Sequence, residues 1–169
     1  MSERFDAVVI GLGPGGEVAA GRLLAAGKRV AVIERELIGG ECGYWAFIPS
    51  KTLLRPTEAR AAAGRVAGTG RPDIDWPALR DYRDYMIRHL DDTAQVDSYQ
   101  KRGATVVRGG ARLVGAGRVE VGGEVLEADH VIVATGSEAI RPPIDGLEQA
   151  TVWANGRRPP WPTSPAGWW

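Results

Sequence analysis

The 169-residue sequence has one cysteine, two histidines and no excess of either charge. One cysteine cannot close a disulfide within the chain, which excludes a small secreted fold stapled by disulfides. Basic and acidic residues balance at 21 each, so no net field favours nucleic acid or an anionic membrane surface as a partner. His89 and His130 lie far apart, without a second ligand at metal-binding spacing, and we predict no metal site.

Long hydrophobic runs are also missing. The amino-terminal segment MSERFDAVVIGLG has an apolar stretch of only a few residues, too short for a signal peptide core or a membrane span. These absences predict a cytoplasmic globular protein. The length is enough for one domain with a core of its own.

Short apolar runs alternate with helix-forming segments and predict an α/β fold. Residues 5–10 and 29–33 are typical of buried strands, and residues 17–26 of a helix that ends at Gly27. Such a β-α-β unit implies a parallel sheet with a right-handed crossover. We expect residues 131–134 to form a further strand of this sheet, beside the first.

The middle of the chain gives weaker patterns. A helix is predicted after Pro49, through Thr52 to about Ala63, and another, long one after Asp75 as its N-cap. Asp91 and Asp92 would lie on a solvated helix face. We expect a separate β-meander within residues 111–128, with a two-residue turn at Gly122 and Gly123. The apolar stripe predicted for the long helix is Leu79, Tyr82, Met86 and Leu90.

The segment GLGPGG contains the pattern Gly-x-Gly-x-x-Gly between the first strand and the first helix. Gly11 allows a tight turn, Gly13 lets the backbone approach a pyrophosphate, and Gly16 lets helix and strand pack closely. Glu34 ends the second strand, where a carboxylate can accept hydrogen bonds from the ribose hydroxyls of an adenosine. Alone, Glu34 would be interpreted as a solvated acid; together these features predict a dinucleotide site.

Four blocks stand in a characteristic order: GLGPGGEVAAGRLLAAGKRVAVIERE, GGEC, FIPSKTLL and VIVATGS. With them, residues 5 to about 155 resemble the pyridine nucleotide-disulfide oxidoreductases, such as dihydrolipoamide dehydrogenase, glutathione reductase and mercuric reductase. The resemblance implies a Rossmann-like FAD-binding domain over residues 1–155, with a parallel sheet, crossover helices and a small β-meander. FAD is the implied cofactor and partner. NAD(P)H binding and homodimerisation belong to full-length relatives.

The resemblance also implies which residues bind FAD. Gly11, Gly13 and Gly16 would face the pyrophosphate, and Glu34 the adenosine ribose. Lys51 would approach the flavin N5 region, unless it is an ordinary surface lysine. The further positions are Pro14, Gly15, Arg35, Gly39, Gly40, Glu41, Cys42, Ala111, Ala134, Thr135 and Gly136. Of these, residues 39–42 would line the flavin and its diphosphate, Ala111 would meet the adenine through its backbone, and residues 135–136 would close the site or form an ordinary turn.

Disulfide-reducing members of the family carry a Cys-x4-Cys pair, and here its positions are Cys42 and Phe47. A phenyl ring cannot serve as a thiolate, a leaving group or a disulfide partner. The resemblance therefore implies a flavin-contacting frame without the dithiol relay. Cys42 is then a small buried residue, the interpretation that we favour, or a lone reactive thiol. Relatives without the pair pass reducing equivalents through FAD to quinones or to another nicotinamide.

Residues 156–169, GRRPPWPTSPAGWW, contain four prolines and three tryptophans without periodicity. A core is not built this way, and we expect either an out-of-frame segment or a disordered tail. We interpret the chain as the FAD-binding portion of a flavoprotein oxidoreductase that is inactive alone. In full-length relatives electrons pass from NAD(P)H through FAD to a disulfide, quinone or similar acceptor. The alternatives are a degenerate, non-catalytic remnant and a stand-alone NAD-binding module.

Overall fold

The computed structural model describes residues 4–150, which form two compact units: residues 4–42 with 90–137, and residues 43–89 with 138–150. The strands are β1 (Arg4–Ile10), β2 (Val30–Glu34), β3 (Thr105–Arg108), β4 (Ala111–Gly115), β5 (Arg118–Val121) and β6 (Glu124–Val133). The helices are α1 (Pro14–Ala25), α2 (Gly40–Tyr44), α3 (Phe47–Ala63), α4 (Trp76–Met86) and α5 (Thr93–Lys101). Short helical turns occur at Arg88–Leu90 and Leu147–Gln149. The segment expected to be an out-of-frame or disordered tail lies outside the described residues.

All six strands belong to one sheet of the first unit, in the order β3-β2-β1-β6-β5-β4. β1 is parallel to both neighbours, so that Val8 stands opposite Ala31 of β2 and Val131 of β6. β2 is also parallel to β3, whereas β4, β5 and β6 pair antiparallel. The predicted α/β class is confirmed, and so is the place of residues 131–133 beside the first strand.

The β-meander was expected to be separate, and that expectation was wrong. β6 begins as the antiparallel partner of β5, with Leu126 opposite Val119, and continues as the parallel partner of β1. Its sequence EVLEADHVIV has neither glycine nor proline, so nothing interrupts the extended backbone. The predicted turn between β5 and β6 is confirmed, because Gly122 and Gly123 have φ values of 59° and 87°.

The two central parallel strands, β1 and β2, are buried on both faces, as their uninterrupted β-branched sequences suggest. Val8 belongs to a cluster on one face, together with Phe5, Ile33 and the meander residue Val119. The next residue, Val9, points to the opposite face because side chains alternate along a strand. The cluster there includes contributions from α1 and α5: Val9, Leu12, Ala20, Val30, Val32, Ile38, Tyr99 and Ala104.

In the second unit, α3 begins at Phe47, whereas the helix was predicted to begin after Pro49. α4 begins as predicted, because the Asp75 side chain accepts a hydrogen bond from the Ala78 N–H at 3.0 Å. No helix within residues 4–150 has both the length and the apolar character needed to cross a membrane.

Of the predicted apolar stripe of α4, Leu79 is confirmed, and Tyr82, Met86 and Leu90 were wrong. Leu79, Arg83 and Ile87 are buried, at intervals of four residues, while Tyr82 and Met86 are exposed. Arginine can take an inward position because its long stem is apolar, and the Arg83 guanidinium pairs with Asp84 at 2.5 Å. The helix also stops before Leu90, since residues 88–90 all have positive φ.

These burial data give a stability prediction. Leu79→Ala should lower the free energy of unfolding by about 2–5 kcal/mol, because it removes buried methyl groups and leaves a cavity. Tyr82→Ala, three residues along the same helix, should change it by less than about 0.5 kcal/mol because the ring is exposed. Urea unfolding followed by far-ultraviolet circular dichroism measures both. Equal losses for the two variants would contradict the observed orientation of α4.

Candidate functional site

The ends of three parallel strands meet at Gly11. Its N–H donates to the carbonyl of Ile33 at 2.8 Å, and the Ala134 N–H donates to the carbonyl of Ile10 at 2.8 Å. Gly11 has a φ of 90°, and a Cβ atom there would overlap the carbonyl oxygen of Ala134. Only glycine therefore fits this point, which lies at the carboxyl edge of the sheet. Ligands of open α/β sheets commonly bind at this edge.

The first turn of α1 leaves open space where a ligand can approach. A Cβ atom on Gly16 would overlap the Gly11 carbonyl oxygen, so the helix packs directly on the turn after β1. By contrast, a Cβ atom on Gly13 or Gly15 would have no atom within 4 Å. Gly13 is the N-cap of α1, so the open space beside it lies at the positive end of the helix. Because Gly13 has no side chain to accept a hydrogen bond from the first N–H groups of α1, these groups can donate to a ligand. These features suit the phosphate groups of a nucleotide.

Gly39 and Gly40 are packed against this turn. The Gly39 N–H donates to the carbonyl of Leu12 at 2.7 Å. A Cβ atom on Gly40 would stand 2.9 Å from the Cα atom of Gly13, and both glycines have positive φ. The structure thus brings two of the predicted glycine segments together, although they are far apart in sequence.

Glu34 is buried, with 7% of its surface exposed, and its carboxylate is held by the backbone. Oε2 accepts the Leu12 N–H at 2.7 Å, and Oε1 accepts the Glu36 N–H at 2.8 Å. Each carboxylate oxygen has two lone pairs, so one on each remains for a ligand hydroxyl. The carbonyl of Glu34 also accepts the Gly109 N–H at 3.1 Å, which places the chain that leads into Ala111 beside it.

The remaining predicted residues of the first unit lie around this edge of the sheet or on the segment that follows β2. The Cα atom of Thr135 is 3.1 Å from where a Gly11 Cβ atom would stand, and Gly136 has a φ of 71°. Cys42, on α2, is a free cysteine of intermediate burial, and the choice between a small packing residue and a reactive thiol stays a prediction. Pro14, Arg35 and Glu41 are exposed.

Lys51 and Phe47 belong to the second unit, on α3. The Lys51 ammonium nitrogen lies 5.9 Å from the centroid of the Phe47 ring, within the range of a cation–π contact. Phe47 is 54% exposed, an unusual state for a phenyl group. Within residues 4–150 the buried indole N–H of Trp45 has no acceptor.

Sequence reasoning missed Asp92 and Arg108. Asp92 was expected to be solvated, but only 7% of it is exposed. Its Oδ2 accepts the Ile38 N–H at 2.7 Å and also the Nη2 group of Arg108. Asp91, its neighbour, does lie in solvent, and a hydrogen bond from the Thr93 hydroxyl lowers the pKa of its carboxyl. The sequence held no signal for a partner 54 residues away.

Within the described residues, no group of three or more histidine, cysteine, aspartate or glutamate side chains is arranged to hold a metal ion.

Comparison with known proteins gives one consistent family. The family model described as pyridine nucleotide-disulphide oxidoreductase matches residues 5–158. The dihydrolipoyl dehydrogenase of Acholeplasma laidlawii is 34% identical over 155 residues, which cover 89% of this chain and 46% of that protein. The mercuric reductase of Streptomyces lividans is 35% identical over 155 residues, 86% of this chain and 33% of that protein. The chain thus spans between a third and a half of the length of these relatives.

Among solved structures, the HOCl-induced flavoprotein disulfide reductase RclA from Escherichia coli superposes with a TM-score of 0.69 at 24% identity. The match covers 85% of this chain and 31% of that one. At this level of identity the likeness concerns the fold.

Two neighbouring glycines give a matched test of the turn. Gly16→Ala should lower the free energy of unfolding by about 1–3 kcal/mol, because its Cβ atom overlaps a rigid carbonyl. Gly15→Ala should leave it unchanged or raise it by less than about 1 kcal/mol, because the methyl group enters open space and alanine favours the helix. Thermal unfolding of both variants is the measurement. A stable Gly16→Ala protein would refute the close packing of α1 on the turn.

Proposed function

We propose that the chain is the FAD-binding portion of a flavoprotein oxidoreductase, because it belongs to the pyridine nucleotide-disulphide oxidoreductase family. Residues 1–155 would be its FAD-binding domain. The observation that carries the proposal is the backbone cradle between Gly13 and the first turn of α1. A cytoplasmic location, and a homodimer in full-length proteins of this type, belong to the same proposal.

The diphosphate of FAD would occupy the open space at the start of α1. Gly13 presents no Cβ atom there, and the helix supplies N–H groups and the positive end of its dipole. Pro14 supports this arrangement, since proline at the first helical position has no N–H to leave unpaired. Gly15 keeps the approach open on the same side.

The adenosine ribose would hydrogen-bond to Glu34. The two backbone bonds to this carboxylate fix its orientation before a ligand arrives, and its second lone pairs can accept two hydroxyl groups. A ribose 2′-phosphate would be repelled by the same charge. Arg35 follows at the rim, and Ala111 would meet the adenine through its backbone.

The flavin would lie beyond the diphosphate, along Gly39, Gly40, Glu41 and Cys42, with Ala134, Thr135 and Gly136 on the neighbouring strand end. When bound, FAD supplies the acceptor for a hydride. Lys51 would stabilise the negative charge of the reduced ring.

Phe47 argues against disulfide reduction by the two-thiol route. The sequence has Cys42 alone, and a thiol–disulfide relay through the protein needs two sulfur atoms. We therefore propose that the electrons leave toward an acceptor that needs no dithiol, such as a quinone or a nicotinamide. A stand-alone NAD-binding module remains the competing function, and FAD against NAD titration distinguishes the two.

The nucleotide site predicts two graded losses. Gly13→Val should abolish FAD binding, because the side chain fills the cradle, while thermal stability stays near that of the wild type because the space is open. Glu34→Ala should weaken binding by roughly 10- to 100-fold, the equivalent of about 1.5–3 kcal/mol for a charged hydrogen bond. Titration with FAD and with NAD, using exposed Glu124→Ala as the control, tests both. Unchanged FAD affinity in both variants would place the site elsewhere, and tighter binding of NAD than of FAD would favour the competing module.

The single thiol predicts a second result. When the flavin of the FAD-loaded chain is reduced with dithionite under anaerobic conditions, an added disulfide should not reoxidise it. A quinone should do so, because it accepts electrons directly from the flavin. Stopped-flow absorbance at the flavin band follows the reoxidation. Rapid reoxidation by the disulfide, unchanged in Cys42→Ser, would show that the missing thiol is irrelevant to acceptor choice.

A further inference from the structure

The segment of residues 36–40, which follows β2, is held from two sides. On one side, Gly39 and Gly40 contact the turn after β1 through the Leu12 carbonyl and the Gly13 backbone. On the other side, the segment is held by two charged side chains that lie far along the chain. The first side belongs to the nucleotide site described above. The second has no part in that site.

Asp92 and Arg108 form the second attachment. Asp92 Oδ2 accepts the Ile38 N–H at 2.7 Å, and the same oxygen pairs with Nη2 of Arg108. The other terminal nitrogen of this guanidinium, Nη1, donates to the carbonyl of Glu36. One arginine fork therefore joins the buried carboxylate to the 36–40 segment, a geometry that a lysine cannot reproduce.

Both residues are anchored to rigid elements. Arg108 ends β3 and stands opposite Glu34 in the parallel pairing with β2. Asp92 is the residue before α5, yet its side chain makes no capping bond to that helix. An aspartate at this position usually caps its own helix, so this carboxylate serves the 36–40 segment instead.

We propose that Asp92 and Arg108 are positioning residues that hold the 36–40 segment against the glycine turn before a nucleotide arrives, and thereby raise the affinity for FAD. The inference rests on the proposed function. Its physical basis is preorganisation, because a segment that is already ordered loses little conformational entropy when a ligand binds. The Glu36 N–H also supports the Glu34 carboxylate, so loosening the segment would weaken the ribose contact too.

Amide hydrogen exchange without nucleotide tests the first half of the proposal. In Arg108→Met, which keeps the apolar stem, the amides of Ile38 and Gly39 should exchange at least about tenfold faster than in the wild type. The buried amides of β1 report global unfolding in the same experiment and serve as the internal reference. Arg118→Met removes the Arg118–Glu127 pair, which lies toward the opposite end of β1, and should leave the exchange of the 36–40 segment unchanged.

Titration with FAD and with ADP tests the second half. Arg108→Met should lose about tenfold in affinity for both ligands, the ratio equivalent to about 1.4 kcal/mol, because both need the adenosine half of the site. Arg108→Lys keeps the positive charge but not the fork, so its affinity should stay close to that of Arg108→Met. Asp92→Asn, which retains an acceptor for the Ile38 N–H, provides a second variant if Arg108→Met does not fold.

The outcomes separate the two proposals. Unchanged amide exchange in both the Arg108→Met and Asp92→Asn proteins shows that Asp92 and Arg108 do not hold the 36–40 segment in place. Faster exchange with unchanged FAD affinity shows that holding the segment has no role in binding. Full recovery of FAD affinity in Arg108→Lys shows that the positive charge, and not the arginine geometry, sets the affinity. If the wild type binds neither FAD nor ADP, the proposed function fails. The exchange result alone then decides whether Asp92 and Arg108 hold the 36–40 segment.

Discussion

The contact between α1 and the turn after β1 is the constraint on which the rest of the site depends. Gly16 must lack a Cβ atom for the helix to reach the Gly11 carbonyl, and Gly11 must lack one for β6 to end beside β1. Because backbone atoms make these two contacts, they fix the position of the first turn of α1 relative to the carboxyl ends of β1 and β6. The open space at Gly13 follows from that placement. In the proposed function, a phosphate group enters this space without any side-chain rearrangement.

Hydrogen bonds to charged side chains connect the glycine turn to the 36–40 segment and to β3. The Glu34 carboxylate is tied to the N–H groups of Leu12 and Glu36, and Glu36 in turn accepts from Arg108. A continuous set of hydrogen bonds therefore runs from β3 through the 36–40 segment to the glycine turn. The buried charge of Asp92 is compensated by Arg108, as a buried carboxylate requires. The backbone of the proposed nucleotide site is thus held by two charged side chains that we place outside that site.

Local patterns predicted the elements whose determinants lie close together in sequence. The β1-α1-β2 unit follows from the patterns of one continuous stretch, and the Asp75 cap and the Gly122–Gly123 turn each depend on residues within a few positions of one another. The failures share the opposite property. The meander joins the parallel sheet because β6 pairs with β5 on one side and with β1 on the other.

The same reason explains the failures at single residues. Arg83 takes a buried position that hydrophobicity alone gives to Tyr82. Asp92 was misjudged because its partners, Ile38 and Arg108, come from distant parts of the chain. In the first unit, the glycine segments and Glu34, which the family resemblance names, come together around one edge of the sheet. Their roles toward FAD remain predictions.

The most direct test of the central claim is the absorbance spectrum of the purified protein after incubation with FAD and removal of free cofactor, followed by acid release and identification of what was bound. A flavin spectrum in the protein fraction, with FAD recovered after acid release, is the result that this account predicts. A protein that stays colourless after FAD incubation, or that releases NAD instead, would contradict it.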